Sequence, residues 1–440
     1  MKDLIAYSSE RSGDIRTQMG STHYSYRIIE DALVRLFDRA GYPTKYIAEP
    51  QIFKHRATYV GLLGVEPEQV VHIAFRSTEN IRPMVGARNI CHFAWEFDVM
   101  KDHGLVTDSV LSNQVHMLRL MDEIWVGCSY TARVLREYGL THVHVISAPQ
   151  VDETLPRRRG FSECLDMLGT IPSLPLVLSG ALSQERNAEL CDNRLAPVRQ
   201  HPVLQDRLAG GAGKIFLTVL NAGDLRKNLL NLIEGFQMAV GPDARDLLII
   251  KLIVPNNGDF RSTGLYEQIR PRCNGDMSYD DSRVMFILDY LTGPQMEALF
   301  SIADYYLSAT HCEGFNLPLV QAMSFGTVPV CTTNTAMADY IDSANAVAIA
   351  EKSYFGVIPR MAGDVAGMPY ALPVATRFDV ARACHTAMGQ KPDEYDRMAA
   401  RAAQTVLQKF GAPTILRTAE ARLAALPHPL MSDQGEAAHV

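Results

Sequence analysis

The stretch Thr310-His311-Cys312-Glu313-Gly314-Phe315-Asn316 lies between an apolar run, Asp304–Ala309, and a helix-patterned run, Leu317–Phe325, closed by Gly326. A strand that ends in a glycine-containing turn and opens a helix leaves N–H groups unpaired at the helix start. The helix dipole adds partial positive charge there, so the spacing predicts an anion site with an acid, Glu313, beside it. A second element has the same build. The run Ile215–Leu220 ends in Asn221-Ala222-Gly223-Asp224-Leu225-Arg226-Lys227-Asn228, and Leu229, Leu232, Ile233 and Phe236 follow at helical spacing. Negative charge that develops on an oxygen without a divalent ion is stabilised by lysine, arginine and helix N-termini, and Lys227 and Arg226 stand where such charge is needed. Each also has a plainer reading, Lys227 as a helix-start lysine and Arg226 as a solvent-facing side chain.

Glu313-Gly314-Phe315-Asn316-Leu317-Pro318 resembles the motif of the retaining GT-B enzymes called glycosyltransferase family 4, which reads Glu, then Gly-Phe-Gly-Leu-Pro, with a second acid eight residues after the first. The resemblance implies that Glu313 contacts hydroxyls of a donor sugar while the backbone around Gly314, Phe315, Asn316 and Leu317 approaches the sugar or diphosphate. It further implies that Lys227, flanked by Arg226 and Asn228, binds the phosphates. Two positions depart from the pattern: Asn316 replaces a glycine, and Gln321 stands where the second acid meets the ribose diol. A carboxylate accepts from two hydroxyls at once, whereas an amide offers one acceptor oxygen, so ribose recognition is expected to differ. A third departure is Ala222, five residues before Lys227, where the family often carries an arginine.

Val284–Leu291 resembles the family's strand whose trailing residues pass the nucleobase, which makes Tyr290 and Leu291 base-contact candidates. Thr332-Thr333-Asn334 and Asp339 fall where the family has a strand-end threonine and a Pro-Glu pair; Asp339 as a helix cap is the other reading. Gly13 and Gly20 bracket the first turn, so Gly20 is a donor-loop candidate or part of a plain βα turn. His92, Trp95 and Glu96, in Asn89–Asp98, are candidates for sugar or acceptor contacts, Trp95 through stacking of a pyranose on its ring; each is also read as a packing or capping residue. His142 and His144 share one strand face without a third ligand nearby, and Asp280-Asp281 lacks Asp-x-Asp spacing, so no metal is expected. Sequences of the GxSxG, HExxH and Walker A types are absent, which gives hydrolase, zincin and P-loop readings no support.

The elements that must position these residues alternate strand and helix. Strands are expected at Leu4–Ser8, Thr44–Ala48, Val70–Phe75, Asn89–Phe97, Glu123–Cys128 and His142–Ser147, with a helix over Thr22–Ala40. A second series runs through Lys214–Leu220, Leu247–Val254, Val284–Leu288, Tyr305–Ser308, Val328–Cys331 and Ala346–Ile349. This predicts an α/β chain, and the resemblance specifies GT-B: two Rossmann-like doubly wound domains with an interdomain cleft. The expected division is 1–208 for acceptor binding, 209–426 for the nucleotide-sugar donor with the last helices free to return to the first domain, and a mobile tail at 427–440. Residues 151–205 fit neither series, although Leu174–Leu178 is a strand candidate, and 354–373 reads as a loop insertion.

A length of 440 residues, 47% hydrophobic and 21% charged, is that of a globular protein large enough for two cores. The net charge of −7 argues against nucleic acid as a partner. No apolar run reaches the roughly 18 residues that span a bilayer, and the start lacks a signal-type core, so a cytoplasmic location is expected. Arg157-Arg158-Arg159 leaves two readings, a solvated loop and a weak peripheral contact with the inner face of the membrane. Eight scattered cysteines without a CxxC pair read as reduced core residues. The resemblance therefore implies a retaining, metal-independent transfer from a UDP-, GDP- or dTDP-sugar to a hydroxyl of a glycan or lipid-linked acceptor in bacterial surface polysaccharide synthesis, with no cofactor. The alternatives are a non-catalytic sugar-nucleotide-binding or assembly subunit on the same scaffold and, last, an epimerase, for which no clear acid/base pair is visible.

Overall fold

The computed structural model describes residues 2–10, 22–101, 110–169, 171, 174–176, 208, 213–221, 224–241, 244–253, 281–357 and 369–426. The chain divides into two compact units, one made of Met1–Gly13, Ser21–Glu153 and Gln408–Val440, the other built around Thr154–Leu407.

In the first unit, strands β1 (Leu4–Ser9), β2 (Thr44–Tyr46), β3 (Val70–Phe75), β4 (Arg88–Phe93), β5 (Glu123–Val126) and β6 (Val143–Val145) alternate with helices α1 (Thr22–Arg39), α2 (Arg56–Leu63), α3 (Gln114–Arg119) and α4 (Ser129–Glu137). The strands form one six-stranded sheet in the order β2-β1-β3-β4-β5-β6, with every pairing parallel. A sheet covered by helices on both faces needs apolar side chains on both, and the inner strands β3, β4 and β5 are accordingly buried throughout rather than alternately. Ile73, Phe75, Ile90 and Trp125 face α1, whereas Cys91, Phe93, Ile124 and Val126 face α3 and α4. The strand expected over Asn89–Phe97 stops at Phe93, before Trp95 and Glu96.

The second unit begins well before residue 208. Helix α5 (Phe161–Leu168) and strand β7 (Leu174–Leu176) precede β8 (Ile215–Asn221), α6 (Leu229–Ala239), β9 (Leu247–Ile253), β10 (Asp281–Ile287), α7 (Gly293–Ile302), β11 (Tyr305–Ser308), α8 (Leu317–Ser324), β12 (Val328–Cys331) and β13 (Val347–Ala348). They build a seven-stranded sheet in the order β13-β12-β11-β8-β9-β10-β7, parallel except that β7 pairs antiparallel with β10. The expected boundary near 208 is therefore displaced to Thr154, because α5 packs on α7 and β7 pairs with β10. The arginine run joins this packing. Arg158 donates to the carbonyls of Ser301 (2.8 Å) and Ala303 (2.7 Å) at the end of α7, Arg159 pairs with Glu163 and Glu297, and Arg157 pairs with Glu163. The three guanidinium groups are thus held by this chain's own acids and carbonyls.

Residues read as a loop insertion instead begin and end in a two-stranded antiparallel ribbon, β14 (Lys352–Val357) with β15 (Pro369–Val374). Helix α9 (Arg377–Met388) then packs on α6, α10 (Pro392–Phe410) carries the chain back to the first unit, and α11 (Ala412–Ala425) adds Ile415, Ala419 and Leu423 to the core beneath α1. Gly411 separates α10 from α11. No helix of the described residues is long and apolar enough to cross a membrane. Cys91, Cys128, Cys164, Cys312, Cys331 and Cys384 are buried thiols, as expected; Cys191 and Cys273 lie outside the described residues.

Gly235 of α6 sits where α9 comes closest, and a Cβ there would lie 2.5 Å from Val380 Cβ and 2.8 Å from Arg377 O. Backbone cannot yield as a flexible side chain does, so Gly235→Ala is expected to destabilise the second unit by about 2 kcal/mol despite the better helix propensity of alanine. Gly61 of α2 meets nothing within 4 Å, and Gly61→Ala is expected to raise stability by up to about 1 kcal/mol. Denaturant midpoints moving in the same direction for both variants would contradict this.

Candidate functional site

Strands β8 and β11 are neighbours in the second sheet, so the turns that follow them emerge side by side. The first turn carries Lys227 and the second Glu313, and Lys227 Nζ lies 2.5 Å from Glu313 Oε1. Both charges are largely withdrawn from water, with side-chain exposures of 19% and 7%. A charge-assisted bond of this length in a desolvated setting holds both side chains in place, and either partner is costly to leave alone. Thr218, Tyr306, Ser308 and Asn316 surround the pair and, with Val219, Leu220 and Leu232, line a small pocket.

The turns are held by an unusual set of backbone conformations. Asn228, Asn316 and Thr335 are the non-glycine residues with positive φ among the described residues, and all three belong to this neighbourhood. Asn228 (φ 55°) precedes α6 and Asn316 (φ 65°) precedes α8, yet neither side chain caps the helix it introduces. The Asn228 amide instead donates to Ala309 O (3.1 Å) at the end of β11 and to Ala375 O (2.8 Å), while the Asn316 amide reaches Ser308 Oγ (3.3 Å). Asparagine tolerates the left-handed region best after glycine, which explains how Asn316 occupies a position where the resembling motif has glycine. Two helix starts are left without a cap from their N-cap side chains beside the Lys227–Glu313 pair, an arrangement suited to an anion.

Thr335 is the third member, and no sequence pattern announced it. A β-branched residue at φ 47° is strained and persists only where its surroundings over-determine it. Its hydroxyl accepts from Glu313 N (2.9 Å) and donates to Asn334 Oδ1 (2.9 Å), and Asn334 Nδ2 donates to Glu351 (2.7 Å) and Thr310 O (3.2 Å). Glu351 titrates above the ordinary carboxylate range because burial outweighs the bond from Asn334. This chain of bonds fixes the backbone on which Glu313 stands.

Arg226 is engaged within its own turn. It grips Asp224 through Nε (3.0 Å) and a terminal nitrogen (2.5 Å) and reaches Cys312 O (3.3 Å), tying the lysine turn to the glutamate turn. Burial pushes the Asp224 carboxyl up, but Arg226 and Lys227 more than offset this and hold it below its usual range. His311 adds a further tie: its N–H donates to Arg226 O (2.8 Å), its Nδ1 is 3.1 Å from Pro373 O of β15, and burial lowers its pKa. Arg226 and Asn228, expected at the donor, thus make hydrogen bonds that tie the lysine turn to its surroundings. Of the other candidates in this unit, Gly314, Phe315, Leu317 and Gln321 are partly buried around α8, Tyr290 is 41% exposed after β10, and Leu291 is buried. Phe315 O accepts from Tyr340 Oη (2.7 Å), which anchors the loop from beyond β12.

The expected contacts in the first unit fare differently. His92 is fully buried in β4, stacked on Phe75 with Nε2 at 3.1 Å from Ile146 O, and burial lowers its pKa to about 4; it is a core residue, because a parallel sheet covered on both faces has no outward side. Trp95 stacks on Phe93, meets Phe97 edge-on, donates to Val99 O (2.8 Å) and is partly buried. Glu96 is partly buried, and Gly20 lies outside the described residues. His144 lies 3.5 Å from the buried Glu123, and His142 Nε2 is 3.5 Å from Leu118 O. Among the described residues no group of three or more His, Cys, Asp or Glu could hold a metal ion.

No protein-family model matches the chain, and no curated protein matches it. Solved structures do. Anabaena Alr3699/HepE in complex with UDP-glucose superposes with a TM-score of 0.54 at 12% identity, covering 96% of this chain and 100% of that one. The α,α-trehalose-phosphate synthase (UDP-forming) from Burkholderia xenovorans in complex with glucose-6-phosphate gives 0.53 at 12% identity, with 96% and 100% covered. The pneumococcal O-GlcNAc transferase GtfA in complex with UDP and GlcNAc gives 0.51 at 14% identity over 84% of this chain, which spans 60% of that longer protein. Identities this low speak to the fold alone: an α/β chain of two Rossmann-like units, the GT-B class expected from the sequence.

Proposed function

We propose that this protein is a retaining, metal-independent glycosyltransferase that moves a sugar from a nucleotide-diphosphate sugar to a hydroxyl of a glycan or lipid-linked acceptor. The observation that carries the reading is the Lys227–Glu313 pair at 2.5 Å, set beside two helix starts at the ends of adjacent strands. The fold shared with proteins solved with UDP-glucose and with UDP and GlcNAc supports the same donor class.

In this mechanism the diphosphate takes Lys227 and the uncapped amides at the starts of α6 and α8, which stabilise charge as the glycosidic C–O bond breaks. Glu313, released from Lys227, accepts from sugar hydroxyls and stabilises oxocarbenium-like charge. The acceptor hydroxyl attacks from the face the diphosphate leaves, and the leaving phosphate oxygen takes its proton. Gln321 stands where a ribose-binding acid is common in the resembling family, which suits a donor nucleotide whose ribose is read differently.

Calorimetric titration of UDP, GDP and dTDP into the purified protein tests the donor class. At least one is expected to bind, and Lys227→Ala is expected to weaken it about tenfold or more, the worth of a charge-assisted bond. Absence of binding by all three would end the proposal. The engagement of Arg226 by Asp224 favours a second reading, a sugar-nucleotide-binding subunit without turnover. Binding without any detectable hydrolysis or transfer would establish it.

A further inference from the structure

The order of the second sheet runs β11-β8-β9-β10, so β9 lies between the strand that leads to Lys227 and the strand that leads to Tyr290 and Leu291. A ligand whose sugar meets Glu313, whose phosphates meet Lys227 and whose base meets the residues after β10 must cross the C-terminal end of β9. Among the described residues of β9, one charged side chain stands near that end. Lys251 is third from the end of that strand, paired in register with Val219 of β8 and Ile287 of β10. Its neighbours Ile250 and Leu252 point into the core under α6 and α9, so Lys251 points to the opposite face, the one it shares with Val219, which lines the Lys227–Glu313 pocket.

Lys251 is 3% exposed, and its Nζ donates to the carbonyl of the next residue, Leu252, at 2.6 Å. An ammonium carries three donors. Burial lowers its pKa to about 8, while the charge of Asp289 raises it. A buried cation with a carbonyl as its direct partner is expensive unless something anionic joins it.

We propose that Lys251 is a further cation of the nucleotide-diphosphate site, donating from Nζ to a phosphate oxygen while it keeps the Leu252 carbonyl. This inference rests on the proposed donor class and adds to it the charge that the resembling motif often places at the position of Ala222. Lysine suits the task, since its flexible stem lets the ammonium turn toward a phosphate without moving the strand.

The test is Lys251→Met, titrated by calorimetry with whichever of UDP, GDP and dTDP binds the wild type and with the matching nucleoside. Diphosphate affinity is expected to fall about ten- to a hundredfold, the range for a hydrogen bond to a charged group. Nucleoside affinity is expected to stay the same, and the melting temperature to stay level or rise, because an apolar side chain of similar size replaces a buried charge. Should Lys251→Met not fold, Lys251→Gln, which keeps a donor for Leu252 O, takes its place with the same expectation. Unchanged diphosphate affinity, or an equal loss for diphosphate and nucleoside, overturns the proposal. If Lys227→Ala is impaired at the same time, the proposed function stands without Lys251; if the wild type binds no nucleoside diphosphate, both fall.

Discussion

Glu313→Ala is expected to lower kcat of sugar transfer about a hundredfold, the usual cost of removing a group that stabilises developing charge. The backbone should survive the change, because Glu313 N is held by Thr335 and its carbonyl accepts from Ala336 N at 3.3 Å, neither of which involves the carboxylate. Lys227→Ala is expected to be harsher on stability, since it strands a carboxylate that is 7% exposed. The double variant should cost less than the sum of the two singles, as residues in one contact couple. Near-normal turnover in both single variants would remove the mechanism.

Arg422→Ala is expected to destabilise the first unit by about 3 kcal/mol. Glu123 is 3% exposed in β5, and Arg422 of α11 grips its Oε1 with two nitrogens. Trp125 Nε1 donates to Oε2 at 2.9 Å. Breaking a buried pair costs about 3–5 kcal/mol because the remaining charge is left uncompensated; Trp125 Nε1 and His144, 3.5 Å away, still face the Glu123 carboxylate, and Arg422 is 32% exposed, which places this one at the lower end. Two units need not unfold together, so the measurement is the denaturant midpoint of the first-unit transition followed by tryptophan fluorescence, since both tryptophans, Trp95 and Trp125, lie in that unit. A shift worth under 1 kcal/mol would show that water replaces the guanidinium without loss.

The parts of this molecule visible in its sequence are those set by local pattern. Val70–Phe75, Tyr305–Ser308 and Val328–Cys331 are strands at the residues expected, because short β-branched and aromatic runs bounded by turn signals have few other uses. Lys227 and Glu313 stand in two strand–turn–helix segments 86 residues apart, each legible as a local pattern, and their meeting follows once β8 and β11 pair. What stayed hidden depends on non-local neighbours. The membership of β7 in the second unit is decided by its pairing with β10, over a hundred residues away. His92 lies in a strand covered on both faces, and period-two alternation carries no signal there. Thr335 owes its positive φ to bonds with Glu313 and Asn334, not to any turn signature, and Lys251 sits inside an apolar run that reads simply as a buried strand.

The return of the chain through α10 to complete the first unit bears on how the protein is made. The sheet β1–β6 emerges from the ribosome early, but Ile415, Ala419 and Leu423 of its core belong to α11 and emerge only after the whole of the second unit. The half synthesised first is therefore finished last, and a nascent chain carries an uncovered apolar face beneath α1 through most of translation. Such long sequence separation slows assembly and exposes intermediates to aggregation. Folding helpers acting on the elongating polypeptide would find their target there, rather than in the later-made domain, whose described sheet closes within its own continuous segment.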